Sequence, residues 1–344
     1  MKMRFKLFIY FVFTIVSIEA RAQDPIFTQF YLVPEKLNPA FTGIANTWNT
    51  GIVHRRQWPD GNRKIDTEYG FANNLISDEI GLGITVLNQK EVFTDYNYFQ
   101  FNGVFSYRID LNDDWRMRFG LETGYGRKDY NFKNVLLEDQ INSNDGSISP
   151  GSIDPGFLNY NDKIDFLDVS VGVVVDQENA WFGAALKHIN RPNISFTESG
   201  NVQLDMFLTI HGGYYFEFVD SPSKLLPENS TLLLTANYMR QSRYNRLDIG
   251  AVMDFTRFSF GIIAVTNPER RSSNSHLITS VNPIISFKTG RFTFGYSYDL
   301  NASRIGRTQG VHELTLSWQS SKICDRCDNY KVKLKRNGEA GYIR

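Results

Sequence analysis

Few side chains in this sequence have a type and spacing that could do chemistry. Five histidines, His54, His188, His211, His276 and His312, are scattered along it. None lies in an HExxH stretch or forms an i, i+4 pair with a carboxylate, so none reads as a metal ligand. A lipid hydrolase would need a nucleophile with a positioned base, and no Ser–His spacing suggests one. Segment 128–163 holds six acidic and three basic residues. Near Asn142 and Gly146 it approaches a calcium-loop pattern, but Ile141 stands where the first ligand should be. It reads as a solvated surface loop or as a loop that meets a partner. The last motif is Cys324-x-x-Cys327, followed by Lys331, Lys333, Lys335 and Arg336. Such a pair can be a redox couple, half a metal site or a small disulfide. No second pair or nearby His completes a zinc set, so a local disulfide in an oxidising compartment is the expectation. The basic run then reads as a contact for an acidic partner. We expect no catalytic residue, no metal and no cofactor, hence no enzyme.

The elements that position these residues begin with an export signal. Lys2, Arg4 and Lys6 precede an apolar run over 7–18, and Ala20-Arg21-Ala22 is a small-x-small cleavage site before Gln23. Residues 1–22 are therefore expected to be removed. The full chain has 344 residues and balances 37 basic against 37 acidic side chains. That neutrality argues against a chain-wide nucleic-acid surface. Beyond the signal no run of eighteen apolar residues occurs, so membrane residence would require a closed barrel.

From about residue 47 the hydrophobic pattern has period two. Phe292, Phe294 and Tyr296 alternate with Thr293, Gly295 and Ser297. Leu167, Val169 and Val171 alternate with Asp168, Ser170 and Gly172. Segments of this kind fall at 47–57, 64–74, 80–90, 97–109, 115–127, 164–176, 180–190, 205–218, 231–241, 245–255, 258–267, 276–288, 291–299 and 311–319. Most are as long as a tilted membrane strand requires. If the first runs outward, inward turns such as 110–114, 177–179, 256–257 and 289–290 are tight. Outward loops such as 128–163, 191–204, 268–275 and 300–310 are longer, while the short outward 59–63 and the long inward 220–230 break the rule. Trp48, Trp58, Trp115, Trp181, Tyr298 and Trp318 sit near strand ends, as girdle aromatics do. The fold class expected is all-β, an outer-membrane antiparallel β-barrel of about 14 strands. A secreted sandwich or soluble barrel would alternate similarly, but with shorter strands. The barrel spans 47–319, with an N-terminal periplasmic or plug segment at 23–46 and a periplasmic tail at 320–344. Counting charges puts 23–319 at −7 and the tail at +4.

Segment 23–46 departs from the pattern. Pro25, Pro34 and Pro39 exclude a helix or central strand, and Phe27, Phe30, Tyr31 and Phe41 are too apolar for a free tail. It must pack, either sealing the lumen or on a partner, with Asn38 and Pro39 among the candidate contact residues. Its wording also carries a resemblance. Gln23-Asp24-Pro25-Ile26-Phe27-Thr28-Gln29, then Asn38-Pro39-Ala40-Phe41-Thr42-Gly43 and Arg55-Arg56-Gln57-Trp58, resemble the N-terminal signature of the PorP/SprF family of type IX secretion system membrane proteins. Gly172, Trp181-Phe182-Gly183, Asn190-Arg191-Pro192-Asn193 and His312-Glu313-Leu314 resemble later stretches of that family. The resemblance implies an outer-membrane barrel serving type IX secretion, with secretion components of the periplasm and outer membrane, an exported cargo or gliding adhesin, and lipid as its partners. A porin or small-molecule transporter is the alternative reading.

Overall fold

The computed structural model describes residues 24–320, apart from 60–62, 131–135, 144, 150, 154–159, 199, 219–226, 228–229, 270–276 and 303–309. The signal segment, His276, the Cys324–Cys327 pair and the basic run lie outside the described residues. Fourteen antiparallel strands form one closed barrel. They are β1 (Asn49–Gln57), β2 (Ile65–Leu75), β3 (Ile80–Glu91), β4 (Tyr96–Asp110), β5 (Arg116–Asp129), β6 (Lys163–Asp176) and β7 (Ala180–Lys187). The second half comprises β8 (Phe207–Phe218), β9 (Ser230–Gln241), β10 (Tyr244–Asp254), β11 (Phe258–Thr266), β12 (Ile278–Thr289), β13 (Phe292–Asn301) and β14 (Val311–Gln319). Each strand pairs with its sequence neighbours, and β1 closes on β14 with Asn49 opposite Gln319 and Gln57 opposite Val311. Closure leaves no free sheet edge, which is what a strand-built membrane protein needs.

The alternation sorts side chains as expected for a barrel in lipid. In β13, Phe292, Phe294 and Tyr296 are exposed on the outer face and Thr293 and Ser297 are buried in the lumen. In β6, Leu167 is 69% exposed while its neighbour Asp168 is 2% exposed. Apolar side chains thus face outward and charges inward, the reverse of a soluble core. Several charges in the lumen are paired. Arg118 Nε lies 2.9 Å from Asp176 Oδ1, and Arg246 Nε 2.7 Å from Asp248 Oδ1. The turns at 111–115, 177–179, 255–257 and 290–291 are tight and share one end of the barrel, as the pattern predicts. At the opposite end 92–95 and 242–243 are short as well, so the long loops are concentrated at 130–162, 188–206, 267–277 and 302–310.

One girdle assignment is corrected. Trp48, Trp58 and Trp115 are exposed on the outside, but Trp181 packs within the lumen beside Ala40, Phe41, Ile44 and Val174. Its neighbour Phe182 takes the outward position, because only alternate residues of a strand can face lipid.

Candidate functional site

The lumen is occupied by the chain's own N-terminal segment. From Trp48, at the tight-turn end, the segment runs back through the barrel as a strap until Asp24 reaches the long-loop end. The prolines set its shape. Pro34 opens a single helical turn, α1 (Pro34–Leu37), and Pro39 opens a 3-10 turn over Pro39–Phe41. Both turns are too short to satisfy the strap's backbone, so the inner wall does so.

Three apolar clusters are buried in the barrel, and each contains strap residues. Phe27 and Val33 pack with Val53, Tyr69, Phe71 and Tyr98. Phe30 and Leu37 pack with Ile263, Val265 and Ile284. Ala40, Phe41 and Ile44 pack with Val174. The inward row is therefore not uniformly polar. It carries apolar patches where the strap lies, and burying a large side chain there stabilises the seat by roughly 1.5–3 kcal/mol apiece.

Polar latches alternate with these patches. Near the long-loop end, Glu313 accepts from the backbone N–H of Thr28 at 3.0 Å and of Gln29 at 2.7 Å. Thr28 Oγ1 donates to Asp299 at 2.8 Å, and Arg55 reaches Glu313 and Asp299 at 2.8 Å each. One guanidinium thus bridges two buried carboxylates that hold the strap. At mid-height Asn38 Nδ2 donates to the carbonyls of Val173 and Ala184 at 3.0 Å each, while its Oδ1 accepts from Ala40 N at 2.9 Å. Lower down, Glu35 Oε1 accepts from Asn49 and Asn73 at 3.0 Å each, and Asn73 Oδ1 accepts from Gly43 N at 3.1 Å.

Two facing glycines make the seat for Asn38-Pro39-Ala40. Gly120 of β5 pairs with Gly172 of β6. A Cβ at Gly120 would lie 2.2 Å from Ala40 N, and one at Gly172 would lie 1.9 Å from Asn38 Oδ1. Neither position has room for a side chain, so both are glycines of close approach.

At the long-loop end the strap terminates in an ionic latch. His188, just beyond β7, lies between Asp24 (Nε2–Oδ2 2.9 Å) and Asp168 (Nδ1–Oδ1 2.8 Å). Burial pulls the imidazole down, but the facing carboxylates outweigh it and push its pKa up to about 9. Burial likewise pushes the Asp24 carboxyl up, and His188 overrides this and holds it well below the usual carboxylate range. The latch is a doubly charge-assisted pair over the ordinary pH range.

Of the strap residues singled out in the sequence, Phe27, Phe30, Asn38, Pro39 and Phe41 are buried in the lumen and Tyr31 is half-buried there. Their side chains meet the inner wall. Of the two destinations left open for this segment, the structure places it in the lumen. Lys331, Lys333, Lys335 and Arg336 belong to the undescribed tail. His188 and His211 are lumen residues, whereas His54 and His312 lie on the outer face, where His54 meets Glu68 at 3.3 Å and His312 meets Tyr296 at 2.9 Å. Among the described residues no group of His, Cys, Asp and Glu could hold a metal. Sequence reasoning missed Arg55, Asp299, Glu313, His188 and Gly120 as strap partners. Arg55 and Glu313 were signalled by the family-like stretches, Asp299 and Gly120 by a charge or a glycine on the inward row of a strand, and His188 by its side-chain type, and none of these reveals what the residue faces.

The sequence profile of the type IX secretion system membrane protein PorP/SprF family matches residues 19–318. The chain belongs to this family. The family-like stretches are thus largely the strap and the wall that receives it. The PorP/SprF barrel is also similar in fold to outer-membrane proteins of known structure. Omp33 of Acinetobacter baumannii matches with a TM-score of 0.44 at 6% identity, over 80% of this chain and 100% of that one. A Pseudomonas aeruginosa FadL homologue matches with a TM-score of 0.43 at 10% identity, over 82% and 92%. The KdgM porin matches with a TM-score of 0.35 at 8% identity, over 79% and 99%. No curated protein is similar in sequence. The PorP/SprF barrel resides in the outer membrane.

Proposed function

We propose that this barrel acts in type IX secretion as a plugged scaffold, without catalysis and without a solute channel. The observation that carries this reading is the strap, which runs through the lumen and is latched to Glu313 near one end and to Asn73 near the other. A transporter would need that volume open. In this reading the long loops at 130–162 and 188–206 engage an exported protein such as a gliding adhesin, for secretion or for attachment at the cell surface. The strap is committed to the lumen, so periplasmic contacts fall to the tail, where Lys331, Lys333, Lys335 and Arg336 meet an acidic secretion component beside a Cys324–Cys327 disulfide. The signal peptide over 1–22 delivers the chain to this compartment. Deleting the gene tests the reading. The exported protein should still be made but remain unsecreted or unattached, and normal surface display in the deletion strain overturns it. A large, steady current through the purified protein in planar bilayers would instead identify a porin.

A further inference from the structure

The outer face of β2, β3, β4 and β5 carries an open groove of about 480 Å³ on the lipid side. Its volume falls within the range of small-molecule sites. The strand register makes the groove. Leu82, Phe105 and Leu121 pair across β3, β4 and β5, and all three are exposed. They form a bulky bank. The neighbouring outward row carries Ala72 on β2 and Thr123 on β5, whose small side chains leave the wall recessed. Trp48 lines the groove at the tight-turn end. Ala72 lies near the tight-turn end of β2 and Thr123 midway along β5, so the groove climbs from the girdle into the apolar band. Its course from β2 to β5 is about 15 Å at the usual strand spacing. That is about half of a hydrocarbon core ~30 Å thick, the depth of one leaflet. The foot of the groove is acidic. The next outward pair toward the turn is Ile80–Tyr107, and the Tyr107 hydroxyl donates to Glu79 Oε2 at 3.0 Å. Asp78 and Glu79 are exposed in the β2–β3 turn, as are Asp113 and Asp114 in the β4–β5 turn, and neither turn contains a Lys or Arg.

We propose that this groove seats an acyl chain of a periplasmic-leaflet phospholipid whose headgroup carries a primary ammonium. The chain lies along Leu82, Phe105 and Leu121, and the ammonium meets Asp78 and Glu79. An apolar recess alone would take any chain, so the acids at its foot supply the selection. They attract a cationic headgroup group and repel a purely anionic one. A primary ammonium also donates charge-assisted hydrogen bonds to a carboxylate, which a quaternary ammonium without N–H cannot do. The site is on the outside of the barrel and is independent of the strap and of the proposed role in secretion.

Trp48 provides the probe. In a variant with Trp58, Trp115, Trp181 and Trp318 replaced by Phe, all indole fluorescence comes from the groove. Heat-modifiable gel migration checks folding. The variant is reconstituted in phosphatidylcholine bilayers, and part of the lipid is exchanged for chain-brominated phosphatidylethanolamine or, in parallel, chain-brominated phosphatidylcholine. Phosphatidylethanolamine should quench Trp48 with a relative affinity at least threefold higher. Adding Asp78→Asn with Glu79→Gln should bring the ratio near one, and so should Ala72→Leu with Thr123→Leu, which fills the recess. Equal quenching by the two lipids before these additions overturns the proposal and leaves ordinary boundary lipid. A preference that survives the filling pair also overturns it, because the headgroup then acts without the groove. A second measurement needs no substitution. In native mass spectrometry of the parent protein extracted from bilayers with equal amounts of both lipids, retained phosphatidylethanolamine should dominate the adducts, and equal adducts count against the site.

Discussion

Substituting Gly120→Val should unseat the middle of the strap. A Cβ at Gly120 would lie 2.2 Å from Ala40 N and 2.4 Å from the Pro39 carbonyl carbon. Both are backbone atoms, so rotating a side chain cannot relieve the clash. The strap must retreat by roughly an ångström to restore van der Waals contact. That distance breaks the two 3.0 Å bonds from Asn38 Nδ2 to Val173 O and Ala184 O. Two bonds at about 1 kcal/mol each, plus residual strain, give about 2–3 kcal/mol. At 1.4 kcal/mol per decade this shifts the seated-to-unseated ratio roughly 30- to 150-fold. The assay is the open fraction in planar lipid bilayers, where the parent should be almost silent and the variant should flicker open more often by about that factor. Gly103→Val is the control. It replaces another strand glycine, on the lipid side, where the nearest atom to a Cβ is 4.0 Å away. Heat-modifiable migration shows that each variant has folded. A folded Gly120→Val barrel as silent as Gly103→Val would refute the link between strap seating and closure.

Three further outcomes follow from the latches and the tail. Replacing Arg55→Met strands the buried Glu313 and Asp299 without their cation, which should cost about 3–5 kcal/mol and lower the thermal midpoint in detergent. Adding Asp299→Asn and Glu313→Gln should recover much of it, and an unchanged midpoint in the single variant would remove this cluster from the latch. The Asp24–His188 latch depends on an imidazole whose pKa is raised from 6.5 to about 9. Its stabilisation is therefore complete below about 6.5 and fades as pH rises through about 9. Hydrogen exchange of the strap's N-terminal amides, corrected for intrinsic rates, should accelerate across that window in the parent and not in His188→Asn. In the tail, Cys324→Ser with Cys327→Ser should leave barrel insertion intact and weaken recovery of periplasmic partners in a pull-down. Equal recovery would leave the pair without a role in binding.

The fold was legible because a strand has only two faces. Phe292, Phe294 and Tyr296 repeat every second residue, and so do Asp168 and Ser170. That period specifies a surface with an apolar side and a polar side whatever the neighbouring strands are. Turn residues between such runs then count the strands, and the observed ranges agree with the expected ones to within a few residues at most ends. Trp181 marks the limit of the same logic. A Trp near a strand end suits a girdle or a lumen wall equally well, and one step of register decides between them.

By itself the sequence determined that the chain is a barrel with lipid-facing aromatics, that its N-terminal segment cannot be central strand or free tail, and that it resembles one secretion family. These are local properties, written in periodicity, prolines and short motifs. The prolines did not exclude helix, because Pro34 and Pro39 each open a short helical turn, where a missing N–H costs nothing. Only the tertiary structure decided what the polar inward row is for. Arg55, Asp299 and Glu313 stand on three strands, with up to 258 residues between partners in sequence, and meet only because β1 closes on β14. Gly120 and Gly172 form a seat only because their strands pair in one register around the strap. Partners so far apart in sequence leave no mark on their local surroundings, so barrel closure alone makes Thr28, Gln29 and Asn38 into latches.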